Sequence, residues 1–586
     1  MRYKLALLFA LLVLSASAEN ISTNQAKKMA KDFFSNNRPQ LHVNELQMVF
    51  DGETPESRTA GANPALYVFD NPHGKGFVIV AGDDIAQPIL GYSYENDFPS
   101  GQLPEHIESW MNSLRQQIND GRKYGVISKP DSRSLTRAGE VIVQLKTAQW
   151  NQHAPYDLYS PTINGQKAPT GCVITAGAIL MKYHQWPKQG TGTLPGYTTN
   201  THKLKMPPIQ LGHTYEWSKM LDVYNTNQFS PEQAHQVARL MADLGTMIEA
   251  DYNIGGTSAN SMYFAQYFPV YMGYDKNALF RDRSEYSNDK WHELMKTELQ
   301  QGRPIIYSGS NHASGHCFIL DGYTNDNYYS VNWGWGGSYN GYFLLNALVP
   351  SGSGIGGNND HYNFYQDAIT GLMPDQGGDY IELITLGGKG LSTEITEFMT
   401  NSPFQITTER INNGGGTLFT GTFLWALTDK DGKIKEELAT VKITNLKPRW
   451  GYSNLQVNCK ITVPIAFGDR IKIFYKSERT PEWTLVEGGT NCVWELFVTD
   501  EYTIEETTRI RFQKKERILI VNTKKGVKLQ FTNAENADLS HLCETKGTET
   551  IIRTMGLPAG KYLLNLKKTL ENKDIIIKLG ENSQQQ

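Results

Sequence analysis

The sequence predicts an α+β fold through about residue 375, followed by all-β, sandwich-like domains to the end of the chain. Three observations predict it. In GCVITAGAILMKYHQWP, Ala176, Ile179, Leu180 and Tyr183 recur at spacings of three and four, the stripe of a buried helix, and Pro187 ends the run. Short apolar runs such as Cys317-Phe318-Ile319-Leu320 read instead as buried strands. Beyond residue 375 the texture alternates, as in RIKIFYKSERTPEWTLVEG and in FLWALTDKDGKIKEELATVKIT, where Asp431-Gly432 is a hairpin turn.

Taken in order, the chain begins with MRYKLALLFALLVLSASA. Basic Arg2 and Lys4 precede an apolar core from Leu5 to Leu14, and Ala16 and Ala18 form an A-x-A cleavage site. Residues 1–18 therefore read as a secretory signal peptide, too short to span a membrane, with no cysteine following for a lipid anchor. Residues 19–137 read as a small α+β unit. NISTNQAKKMAKDFFSNN is a capped amphipathic helix, ALYVFDN, GKGFVIVAGDD and ILGYSYEND are strands, and IESWMNSLRQQINDGRKYG is a second helix. The unit ends in polar VISKPDSRSLTRAG, where Lys129, Arg133 and Arg137 lie on Ser-rich chain of the kind that proteases nick. A domain over 138–375 follows, then MPDQGGDY as a linker, a β-sandwich over 376–503, and a C-terminal β domain over 504–586.

Composition agrees with several globular domains. A length of 586 residues suggests about three to five of them, with 39% hydrophobic and 20% charged residues. A net charge of −4 gives no nucleic-acid surface. No later stretch holds eighteen uninterrupted apolar residues, so no transmembrane segment is expected. Five cysteines in so long an exported chain argue against a disulfide framework, although Cys459 and Cys492 could pair across strands of one β domain. His312 and His316 are four apart without an acidic or third ligand, so neither metal nor cofactor is expected.

The chemistry is concentrated in three places. Cys172 opens the first helix of the 138–375 domain, where unpaired N–H groups and the macrodipole favour thiolate over thiol. A free cysteine can equally be a small core residue. His316, in SGHCFILDGY, follows 144 residues later (316 − 172), within the range of about 130–150 between cysteine and histidine in papain-like proteases. Asn332 follows in VNWGWGG and could orient the imidazole, with Trp333 shielding that bond from water. Alone, each has a bland explanation in packing or a tight hairpin; in the order Cys, His, Asn-Trp they do not.

Residues 138–375 resemble the streptopain family of papain-like cysteine peptidases. The segments that carry the resemblance are WNQHAPYD, TGCV…MKYHQWP, GHCFILDGY, VNWGWGGSYNGYF and SGSGIGGNNDHYNFYQDAITGLMP, in the family's order; the CGSCW-type signature of plant papains is absent. The resemblance implies a papain-like cysteine protease domain that hydrolyses protein and peptide substrates. It implies Cys172 as nucleophile, His316 as general base and acid in a thiolate–imidazolium pair, and Gln152 with the Cys172 N–H as oxyanion donors. Trp333 would pack beside His316, and Asn332 would orient it. Ser258 in GGTSANS and Gly315 match positions expected to touch substrate, while Gly255-Gly256-Thr257-Ser258 and the glycine-rich loop Gly352–Gly357 would border the cleft and leave room for a bulky apolar side chain two residues before the scissile bond.

The same resemblance makes 19–137 an inhibitory propeptide, a tethered intramolecular inhibitor acting at high effective concentration, with maturation between Lys129 and Gly139. A permanent substrate-docking domain is the alternative. The tail, with LPAGKYLLNL and DIIIKL, resembles C-terminal β domains used by Gram-negative bacteria for export or surface sorting, which makes export machinery a candidate partner. Two rival functions remain: a cysteine amidase or transpeptidase acting on cell wall, and a binding protein on a papain-like scaffold.

Overall fold

The computed structural model describes residues 20–39, 45–50, 63–98, 103, 105–124, 138–224, 228–310, 315–346, 366–395, 398–466, 468–489, 492–498, 501–505, 508–513, 518–522, 528–533, 538–546, 549–554, 557, 560–567 and 572–579. The signal segment 1–18, Lys129, Arg133 and Arg137, His312 and the Gly352–Gly357 loop lie outside the described residues. The chain forms two compact units, one of Met1–Ala138 with Phe343–Ser351 and one of Gly139–Tyr342 with Gly352–Gln586.

In the first unit, Ser22 starts the helix Thr23–Asn37 through a capping box with Gln25. The helix buries Ala26, Ala30, Phe33 and Phe34 and packs on the strand Phe77–Ala81. That strand lies in an antiparallel run Gln47–Phe50, Leu66–Asp70, Phe77–Ala81, Ile89–Ser93. The helix Glu105–Tyr124 is tied to the sheet at its C-terminal end. Arg122 donates to buried Asp83 at 2.7 Å and to the carbonyls of Pro64 and Gly82 at 3.1 and 2.9 Å. Removing such a partner from a buried carboxylate costs about 3–5 kcal/mol.

The second unit begins with an antiparallel sheet in the order Tyr329–Asn332, Gly315–Thr324, Ile305–Ser310, Gln366–Thr370, Leu279–Asp282. Val141–Gln144 pairs with the far end of the Gly315–Thr324 strand. The helix Cys172–His184 lies against this sheet, with Ile179, Leu180 and Met181 sharing a core with Ile306, Ile319 and Ile369. Gly177 lets a second helix, Met262–Tyr271, come close: a Cβ there would stand 2.4 Å from the Phe264 ring. These buried apolar side chains contribute about 1.5–3 kcal/mol each. Helices and strands together make this region α+β.

From residue 384 the described elements are strands, apart from one short 3-10 helix, Ser540–Leu542. Ile384–Ser392, Pro403–Asn413 and Gly451–Lys460 form one sheet, and Phe419–Thr428, Ile434–Leu446 and Arg470–Ser477 form the body of another. Side chains from both, among them Ile406, Ile411, Phe423, Trp425 and Ile473, fill one core. At the Asp431-Gly432 hairpin, Gly432 takes φ +85° and the Asp429 carboxylate accepts from the N–H groups of Asp431 and Lys433. Cys459 and Cys492 are separate free thiols in that core, pushed up to about 12 by burial. Further strands run from Glu501 to Leu579. Among the described residues no helix is long and apolar enough to cross a membrane.

Candidate active site

Cys172 is the first residue of its helix and is half-buried. Gly171 before it has φ +90°, and a Cβ there would lie 2.5 Å from the Thr257 carbonyl oxygen. Glycine is therefore required on both counts. The Gly171 carbonyl accepts from the N–H and hydroxyl of Thr175, at 3.1 and 2.9 Å, which fixes the first helical turn. The thiol thus sits at the positive end of a pinned helix.

Gln152 is anchored next to it through its backbone. Its carbonyl accepts from the Thr170 N–H at 2.9 Å, and its own N–H donates to the Asn151 side chain at 2.7 Å. The residue is only 6% exposed, yet its side-chain amide makes no hydrogen bond to any described residue. A nearly buried amide that folding does not use is a donor held in reserve.

His316 lies on the adjoining strand, opposite Gly309, and is 6% exposed. Its Nε2 meets the Trp333 carbonyl oxygen at 3.2 Å, so Nε2 carries the proton and the basic lone pair is on Nδ1. The ring stacks on Trp333 at 5.8 Å and on Phe318 at 6.0 Å. Burial pushes the imidazole pKa down to about 3, against the pull of that carbonyl. Burial thus opposes charging of the His316 ring in this arrangement.

Asn332 does not orient the histidine. Its amide donates to Thr147 Oγ1 and the Ala148 carbonyl, both at 2.9 Å, and its oxygen accepts from the Gly334 N–H at 3.2 Å. Orientation comes from the next residue's main chain. Asn332 instead belongs to a polar network with Thr147 and buried Asp321, whose carboxyl is pushed up to about 6 by burial. Sequence reasoning missed this network; the sign was an aspartate inside the apolar strand CFILDGY.

Trp333 is 1% exposed, and its ring lies against that of His316. At Gly334, which has φ +71°, a Cβ would stand 3.0 Å from Thr175 Cγ2, so this turn rests on the Cys172 helix. Cys317, beside His316, has its thiol pushed well above the usual range by burial and by neighbouring Cys172. Cys172, Gln152 and the His316–Trp333 pair are therefore gathered at one place. Ser258 is exposed and bridges Asp251, one residue after the Thr257 that abuts Gly171. Gly315 is exposed, opens the His316 strand and pairs with Ser310. Among the described residues no group of three or more His, Cys, Asp or Glu could hold a metal ion.

Comparison with known proteins matches two families along the chain. The Peptidase C10 family model matches residues 150–343, and that of the Spi protease inhibitor matches residues 18–118. Streptopain of Streptococcus pyogenes is 34% identical over 333 residues, spanning 54% of this chain and 82% of that protein. Thiol protease/hemagglutinin PrtT of Porphyromonas gingivalis is 28% identical over 368 residues, 60% of this chain and 42% of its own length. Among solved structures, a prointerpain A fragment from Prevotella intermedia aligns with a TM-score of 0.46 at 26% identity, covering 57% of this chain and all of that one. With streptopain similarity at that identity and coverage, the chain belongs to the streptopain, or peptidase C10, family and is a cysteine-type endopeptidase.

Proposed function

We propose that the chain is an exported zymogen in which Cys172 is the nucleophile and His316 the general base and acid. The observation that carries this is the reserved Gln152 amide beside a helix-starting thiol, with a histidine whose tautomer is set by the Trp333 carbonyl. His316 Nδ1 takes the thiol proton as Cys172 Sγ attacks the scissile carbonyl carbon. The oxygen, now negative, receives N–H donors from the Cys172 backbone and the Gln152 side chain. His316 passes its proton to the leaving amine, and a thioester acyl-enzyme remains. Water, deprotonated by the same nitrogen, then releases the acid and restores the thiol.

Residues 19–137 act as the propeptide in this reading, supported by the Spi protease inhibitor match over 18–118. The catalytic domain is 138–375, and 376–503 and 504–586 are β extensions, the last serving in sorting after export through the 1–18 signal. Purified chain 19–586 and its Cys172→Ala variant, incubated under reducing conditions, provide the test. The wild type shortens by about the propeptide and gains caseinolytic activity while the variant stays whole. If trans-cleavage of the 125–137 segment yields no Cys172-dependent proteolysis, the proposal fails.

A further inference from the structure

One carboxylate near the thiol is unused by this mechanism. Asp367 is the cross-strand partner of Ser308, and Ser308 is the partner of Cys317. Cys317 in turn neighbours Cys172. Alternation along the strands puts these three side chains on one sheet face, the face on which Ile306, Ile319 and Ile369 meet the Cys172 helix. They form a row running sideways from the nucleophile, with about 10 Å between the outer Cα positions.

The row is polar. The Ser308 hydroxyl donates to Ser261 Oγ, and Ser261 donates to Asp367 Oδ1, both at 3.2 Å. Asp367 retains some exposure, and among the described residues no cation lies within ion-pair distance of it. Its cross-strand neighbour Asp282 is already occupied in capping Ser284. A carboxylate with accepting capacity left over, open on one side, can receive a donor from outside.

We propose that Asp367, with Ser308 and Ser261, floors a specificity subsite that accepts a cationic or hydrogen-bond-donating substrate side chain two residues before the scissile bond. The inference rests on Cys172 being the nucleophile. Two residues of extended peptide reach roughly 6–7 Å from the attacked carbon and place that side chain over the row. The sequence had suggested an apolar side chain at this position; an acidic floor selects differently.

Burial is the largest influence on Asp367 and pushes its carboxyl up to about 6. The Ser308 and Ser261 hydroxyls pull it down, Asp282 pushes it up, and Arg449 pulls it down. Cys317 is the remaining titratable group on the row and stays a thiol. Preference for a cation should therefore switch on between pH 5 and pH 7.5.

The test uses mature enzyme and two peptides that differ only in Lys or Leu two residues before the cleaved bond. For the wild type, the Lys/Leu ratio of kcat/KM is expected to rise about tenfold from pH 5 to pH 7.5, following ionisation of a group near 6. Asp367→Asn is expected to flatten that rise and lower the ratio at pH 7.5 about tenfold. Should Asp367→Asn fail to mature, Asp367→Ser makes the same comparison. A ratio unmoved by pH and by either substitution, with hydrolysis still dependent on Cys172, overturns the subsite alone. Hydrolysis that persists in Cys172→Ala overturns the nucleophile assignment instead.

Discussion

Asn332→Ala separates a structural asparagine from an orienting one. The buried side chain makes three hydrogen bonds, to Thr147, Ala148 and Gly334, and none to His316. At about 0.5–1.5 kcal/mol net for each, with buried partners left unsatisfied, the loss is about 2–4 kcal/mol. Urea denaturation in the Cys172→Ala background measures it without self-digestion. Since the Trp333 carbonyl holds the imidazole, kcat per active site in the Cys172 enzyme should fall by less than about tenfold. An orienting group that set the tautomer would be worth on the order of 10⁴. Unchanged stability with a kcat loss of that size would refute the assignment to the Trp333 carbonyl.

Gln152→Ala should do the opposite: kcat drops ~100- to 1000-fold while the urea midpoint hardly moves, because its amide bonds nothing described. His292, stacked on Tyr329 with its Nδ1 2.7 Å from the hydroxyl, has its pKa pushed to about 4 by burial. With that value below the unfolded 6.5, its contribution to stability is complete above pH 6.5 and is lost as pH falls toward 4. Between pH 7 and pH 5 His292→Gln should therefore lose about 2 kcal/mol less than the parent, by urea titration. Asp321 and Asp367, raised to about 6, act in the reverse sense but equally in both proteins. Gly489→Ala would place a Cβ 1.9 Å from the Ser284 carbonyl oxygen, beside buried Glu285 and its 3.8 Å contact with Arg449. Calorimetry should show the strand-rich region from residue 384 unfolding separately, where the parent gives one transition for both.

The helix of Cys172 and the strand of His316 were legible because each carries its own periodicity and its own stop signal. The choice between Asn332 and Trp333 was not. Both stand at the right distance in sequence, and the acceptor proved to be a main-chain carbonyl, which any residue could supply. The burial of His316 was hidden for a related reason, since it comes from Phe318 and Trp333 folding over the ring. Gln152 could be named only through family resemblance; its unused amide is visible only once Thr170 and Asn151 are seen to hold the backbone alone. Asp367 reads in QDAIT as an ordinary strand-end aspartate until register sets it in line with Ser308 and Cys317.

The central claim is that one thiol of five does the chemistry. Burial keeps Cys317, Cys459 and Cys492 protonated, with the latter two near 12, and pushes half-buried Cys543 up to about 11. Only Cys172 stands at a helix N-terminus beside a histidine. Reduced, activated enzyme should therefore be titrated with an irreversible thiol-directed peptide inhibitor and its peptides mapped by mass spectrometry. The account predicts a single adduct, on Cys172, formed in step with loss of caseinolytic activity. Full modification of Cys172 with activity retained, or inactivation that tracks a different cysteine, would contradict it.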